Sequence, residues 1–191
     1  QRLVEGGLCK RMQVSRTSMR EALRRLEAEK LVTIIPNRGP SVAQITWEEG
    51  KEIYHVRAIL EGEAAALFAR RATGDQKHEM ARALTAFAEA DEANDAIGRL
   101  VSTSRFYEVM LGGCGNSIIR ELLQGLVARI NFLRARSMSR RGRAKYSAAE
   151  MHRILRAIEK KDAGGARTAA VEHVNAACAA AEAAFGSRRA A

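Results

Sequence analysis

The sequence is short of what a β-rich, disulfide-held or membrane-spanning protein needs. Aromatic residues make up 5% of its 191 residues, with a single Trp. Alanine is abundant instead, above all after Ala157, and its high helix and low β propensity favours close-packed helices over a β-sandwich. The three cysteines, Cys9, Cys114 and Cys178, are odd in number, widely spaced and never in a CxxC pair. They read as reduced thiols of a cytoplasmic protein, not as a disulfide framework. No apolar run is long enough to span a bilayer, and the opening QRLVEGGLCK lacks the apolar core of a signal peptide. There are only two prolines, Pro36 and Pro40, so nothing beyond them breaks a helix by ring geometry. Acidic side chains are in deficit, 22 Asp and Glu against 32 Lys and Arg, for a net charge of +10. That excess suggests a polyanionic partner, nucleic acid or an acidic membrane surface.

What is present supports a folded core. Hydrophobic residues are 47% of the chain, ample for burial, and the length allows one large domain or two small ones. The prolines and β-branched runs end before Thr46, and nearly continuous helical periodicity begins there. The expected domains are therefore 1–46 and 47–191. The chain opens without Met and within an element, so the first domain is expected to lack an initial helix.

In the first domain, Leu3, Leu8 and Met12 suggest a short helix, and Gln13-Val14-Ser15 a turn. Ser15 is placed to cap a second helix reaching Glu29, with Met19, Ala22, Leu23 and Leu26 at helical spacing. Val32–Ile35 and Val42–Ile45 then flank Pro36-Asn37-Arg38-Gly39-Pro40, a β-hairpin with a basic tip. In the second domain the pattern predicts about six antiparallel helices. The first opens at a capping box, Thr46-x-x-Glu49, and buries Ile53, Val56, Leu60, Ala64 and Leu67. Helices near 75–96, 98–112 and 116–140 come next. The fifth opens at a second box, Ser147-x-x-Glu150, and buries Met151, Ile154, Leu155 and Ile158. The sixth runs from Asp162 to about Phe185. The fold class is thus mainly α: a winged helix-turn-helix followed by an all-α bundle.

Helix, turn, helix and hairpin in that order suit a groove-reading head. Arg16, Arg20 and Arg24 recur every four residues and line one helix face. Such arginines can meet guanine edges bidentately or clamp phosphate. Ser15 and Thr17 sit among unpaired N–H groups at the helix start, where phosphate is favoured. Arg38 at the hairpin tip can enter a minor groove, with Gly39 permitting the turn. The bland alternative is a solvated face in which these arginines pair with Glu21 and Glu27.

The run VSRTSMREALRRLEAEKLVTIIPNRGPSVAQIT, from Val14 to Thr46, resembles the signature of the GntR family of transcription regulators, with Ser18 where that family usually has Pro. The next segment, EIYHVRAILEGEAAALFARRAT, is similar to the start of the helical effector domain of its FadR-like subfamily, the FCD type. Phe106, Gly115-Asn116, Glu150-x-His152-x-x-Leu155-x-x-Ile158, Asp162, Ala166 and His173 extend the resemblance along the chain. It implies a cytoplasmic homodimer that binds double-stranded operator DNA. It also implies control by a small molecule and repression more often than activation. Ser15, Arg16 and Arg20 then fall at DNA-contact positions, with Arg38 and Gly39 at the wing tip.

His152 and His173 flank the turn near Asp162 at similar distances, so an antiparallel hairpin brings them level, either as a metal half-site or as ordinary helix residues. FCD-type domains commonly hold a divalent metal (Zn, Ni or Mn) through one Asp and three His. The resemblance places Thr103 at the Asp position and Tyr107 at the first His. Neutral hydroxyls are poor ligands, so weak or absent metal binding is expected. Asp95, Glu108 or Glu150 could supply a carboxylate only at a different spacing. Arg57 lies beside an apolar stripe and needs an anion, either Glu61 by i,i+4 pairing or a ligand carboxylate. Tyr107, Asn116, Arg134, His152 and His173 complete the expected pocket, and a small organic acid is the expected effector. Arg129, Arg134, Arg136, Arg140, Arg141, Arg143 and Lys145 form a basic stretch that serves DNA or is merely solvated.

Two other classes compete. An enzyme using His152, His173 and Tyr107 for acid–base work would lack a nucleophile motif and a phosphate loop. A helical ligand or metal sensor with a nonfunctional DNA-binding head is the nearer alternative.

Overall fold

The computed structural model describes residues 2–36 and 38–186. The chain divides into two compact units between Thr46 and Trp47. In the first, α1 (Glu5–Met12) and α2 (Arg16–Ala28) are followed by β1 (Val32–Ile35) and β2 (Gly39–Val42). Gln13, left-handed at φ 53, turns the chain out of α1. Ser15 caps α2, its hydroxyl accepting from the Ser18 amide at 3.1 Å. β1 and β2 pair antiparallel with Ile35 opposite Gly39, and Gly39 adopts φ +79, a value its missing Cβ permits.

Met19, Leu23 and Val32 form this unit's core, with Leu3, Leu8 and Cys9 packed against it. Met12, Ala22 and Leu26, among the apolar residues whose spacing suggested these helices, are exposed. One small core accepts one stripe of each short helix, and these three lie off it. A third strand-like pairing has no signal in the residue pattern: Arg2 bridges Ser41, and the Leu3 amide donates to the Pro40 carbonyl at 2.8 Å.

The second unit holds seven helices among the described residues: α3 (Trp47–Arg71), α4 (Gly74–Glu92), α5 (Ala96–Gly113), α6 (Ser117–Gln124), α7 (Val127–Met138), α8 (Arg143–Glu159) and α9 (Ala163–Gly186). The expected helix 116–140 is two. At Gly125 and Leu126 the ladder tightens, with Leu126 N donating to Leu123 O at 3.1 Å, and α7 restarts from there. Glycine's poor helix propensity locates the break. The helix expected from Ser147 begins a turn earlier, after left-handed Gly142, so Ser147 is a buried interior residue and not a cap. A further capping box, not among those expected, opens α4, where Thr73 and Gln76 cap each other reciprocally.

α3 and α9 pack lengthwise, as do α4 with α5 and α8 with α9. Small residues permit the first approach: Ala64, Ala65, Ala66, Ala166, Ala170 and Ala177 are all buried. At Gly62 an added Cβ would lie 2.8 Å from Val171 Cγ2. Val56 is exposed, contrary to expectation, because α3 turns Ile53, Tyr54, Arg57, Glu61 and Ala64 inward. The buried stripe of α3 therefore carries an ion pair, which hydrophobic periodicity alone does not register.

Candidate functional site

On the first unit, Ser15, Arg16, Thr17, Arg20, Arg24 and Arg38 are all exposed, and Gly39 is half-buried beside the tip. Arg20 donates to Glu5 at 3.2 Å across the two helices, so one ridge cation is paired within the head. Both groups are open to solvent, and such a pair is weak enough to yield to a phosphate. Arg25 pairs with Glu21 at 2.7 Å, leaving Arg16 and Arg24 on the ridge. Asn37 of the expected tip lies outside the described residues.

The second unit carries two buried ionic clusters around Tyr107. In the first, Arg57 donates from Nε to Glu61 Oε1 at 2.7 Å and from Nη2 to Oε2 at 3.3 Å. Both are almost wholly buried, 0% and 2% exposed. Burial alone would raise the Glu61 carboxyl, but the Arg57 charge, then Arg134, hold it below the usual carboxylate range. Of the two anions allowed for Arg57 by the sequence, it is Glu61 that it takes. Arg57 Nη1 has no partner.

Arg134, on α7, completes this cluster differently. Its guanidinium carbon lies 4.4 Å from the Tyr107 ring centroid, a cation–π contact. Its only hydrogen bond within the protein among the described residues goes from Nη1 to Asn131 Oδ1 at 3.2 Å, and its Nε is buried without a partner. Desolvation, followed by repulsion from Arg57, pushes its pKa down. Two guanidiniums thus share one carboxylate, and that carboxylate gives both oxygens to Arg57.

In the second cluster, Arg143 makes a bidentate pair with Glu150 at 3.0 and 2.7 Å. Glu150 Oε2 also meets His173 Nδ1 at 2.7 Å. Burial pushes the His173 imidazole below its ordinary value of 6.5, against the opposing hydrogen bond that Glu150 accepts and the Glu150 charge. Glu150 is held low by His173 and Arg143 in spite of burial. A neutral imidazole facing a carboxylate carries its proton on Nδ1 and donates it.

A cavity of about 350 Å³ opens beside the first cluster, between α3, α5, α6 and α7. Of its polar lining Arg134, Tyr107 and Glu61 are buried, Ser104 is half-buried and Glu108, Arg120 and Gln124 are exposed, while Leu111, Leu123 and Ile130 contribute apolar wall. The Tyr107 hydroxyl is buried and makes no hydrogen bond of normal geometry, though Glu61 lies close enough to act on it. Burial and the nearby Glu61 charge raise its pKa far above the ordinary range, so it is neutral and a donor.

Several expected pocket members stand elsewhere. His152 is exposed on α8, and Met151 is the inward residue on that turn. A one-residue step along a helix rotates the side chain by about 100°, so His152 and His173 do not face one another. Asn116 caps α6, its Oδ1 accepting from the Ile119 amide at 3.0 Å. Asp95 caps α5 in the same manner. In the basic stretch Arg134 and Arg143 are interior, Arg129 pairs with Glu49 at 3.0 Å, and Arg136 lies over Phe132 and Phe185. Arg140, Arg141 and Lys145 alone are exposed. The Arg143–Glu150–His173 cluster was not expected, although the seven-residue spacing of Arg143 and Glu150 places them on one face of α8.

The donor set does not suit a divalent metal. Thr103 donates its hydroxyl to the Arg99 carbonyl at 2.7 Å, Tyr107 is neutral, and the inward side chain on α8 is a thioether. His173 offers one remaining nitrogen.

The family models that match both units define a DNA-binding transcription regulator with a helical FCD effector domain. Residues 1–42 match the family of bacterial regulatory proteins called gntR, and residues 52–176 match the FCD domain. The chain belongs to the gntR family and carries an FCD domain. It is 26% identical to the HTH-type transcriptional regulator YdhC of Bacillus subtilis over 93% of its own length and 80% of that protein. It is 31% identical to the Nta operon transcriptional regulator of Aminobacter aminovorans, over 70% of this chain and 63% of that one. With the repressor GlaR of Escherichia coli it shares 31% identity over 60% of this chain and 56% of that one. Escherichia coli McbR/YncC has the same fold, with a TM-score of 0.81 at 23% identity over 92% of this chain and 84% of that one.

Proposed function

We propose that this regulator acts in the cytoplasm as a homodimeric repressor. Two copies of α2 would enter successive major grooves of a pseudo-palindromic operator, and a small organic acid bound in the helical domain would control their pose. Arg16, Arg20 and Arg24 contact the groove and its phosphates, Ser15 and Thr17 bind phosphate at the helix start, and Arg38 with Gly39 forms the wing contact. The repressor name of GlaR supports the direction of regulation.

The observation that carries the effector assignment is Arg134. A buried guanidinium without a carboxylate of its own, lining a cavity beside the buried Tyr107 hydroxyl, is a site for a carboxylate. Apolar walls behind it suit a short hydrocarbon body. Ligand binding can change operator affinity only by its differential affinity for the two poses.

The test is a thermal-shift screen of small carboxylic acids, sugars and amines, with gel shifts on the best hit. Stabilisation confined to acids, and absent in Arg134→Gln, is the expected result. Stabilisation by sugars or amines alone would overturn the acid assignment.

A further inference from the structure

We infer that this FCD domain receives its carboxylate ligand without a metal ion, the Arg134 guanidinium supplying the positive charge. The inference rests on the acid-effector reading above. It concerns how the site works and is drawn from the side chains that occupy the places where metal ligands are expected.

Thr103 and Tyr107 at the expected ligand positions, His173, and Met151, the inward neighbour of exposed His152, are all buried. Three are neutral groups with little affinity for Zn²⁺, Ni²⁺ or Mn²⁺, and no carboxylate stands among them. The one imidazole is held by Glu150, whose two oxygens are already occupied by Arg143 and His173. To bind a metal, Glu150 would have to abandon a bidentate partner and leave the buried Arg143 charge uncompensated.

In the cavity an anion meets Arg134, whose guanidinium is hydrogen-bonded by no carboxylate and shares the Glu61 charge with Arg57, and the Tyr107 hydroxyl as a donor. A poor metal-ligand set and a buried guanidinium with no carboxylate hydrogen-bonded to it thus stand in one domain. The ligand class that fits is a monocarboxylate with a compact apolar body.

The experiment uses the full chain stripped with EDTA and transferred to metal-free buffer. Calorimetric titration with Zn²⁺, Ni²⁺ and Mn²⁺ is expected to show no stoichiometric binding that depends on His173. Stoichiometric binding that His173→Gln abolishes would overturn the inference, whereas binding unchanged by that substitution arises elsewhere and upholds it. In parallel, propionate and benzoate are titrated in EDTA and again with added Zn²⁺, reading the melting temperature. Equal shifts in both buffers are expected. Shifts that need Zn²⁺ overturn metal independence and leave the acid reading standing. If neither acid shifts the melt in either buffer, that reading is what fails for these probes, and the calorimetry still decides the metal question.

Discussion

Arg57 and Glu61, one helical turn apart on α3, close a two-point ion pair in the interior of the bundle, at 2.7 and 3.3 Å. This pairing consumes the cavity's innermost carboxylate. It is the reason Arg134, on a different helix, is left with a charge to offer.

Glu61→Gln leaves Arg57 buried and unpaired. Breaking a buried pair from one side costs roughly 3–5 kcal/mol, and chemical denaturation should show a loss of that order. A loss near zero would mean that water reaches Arg57 and replaces the carboxylate.

The same pair sets a pH dependence. Glu61 has its carboxyl depressed in the folded protein, by Arg57 and Arg134 acting against desolvation, from an ordinary value of 4.5. Its stabilising contribution is complete above that value and is lost as pH falls below it, because the unfolded chain then takes up a proton the folded one refuses. The melting temperature should drop on acidification below about pH 4.5, and the drop should be shallower in Glu61→Gln. Identical acid profiles would contradict the assignment.

Arg134→Gln removes a buried charge that no carboxylate hydrogen-bonds. Its removal should leave the ligand-free melting temperature unchanged or higher, since desolvation of that charge is no longer required. Acid-induced stabilisation should disappear. A variant that unfolds while free of ligand would show Arg134 to be a structural support.

Gly62→Ala would place a Cβ 2.8 Å from Val171 Cγ2 where α3 meets α9. Overpacking of this kind typically costs about 1–3 kcal/mol, readable as a lower denaturant midpoint. An unchanged midpoint would mean that Val171 finds another rotamer at no cost.

Much of this fold is legible in the sequence. Capping chemistry at Ser15, the four-residue arginine spacing and the Gly39 turn outline the head, and periodicity places every long helix. The failures have definite causes. Gly125 breaks the expected 116–140 helix because a weak helix former coincides with a tightened turn, which periodicity alone passes over. His152 and Met151 differ by one position, and only packing decides which faces inward. The Arg143–Glu150–His173 cluster joins two helices, and charged residues on a buried face look like solvated ones until the neighbouring helix is in place. Arg57 is legible because its apolar neighbours mark the stripe. Arg134 is legible as a pocket residue, but its lack of a partner carboxylate is a tertiary fact.

The central claim, that the exposed ridge of α2 and the Gly39 hairpin read DNA, is tested most directly by selection from a random duplex library with the full chain. Enrichment of an inverted repeat is expected, with affinity falling steeply as salt rises. The salt slope should shrink by about one for each phosphate that Arg16→Ala or Arg38→Ala leaves without its arginine. A folded protein that leaves the library as random as it began would contradict it.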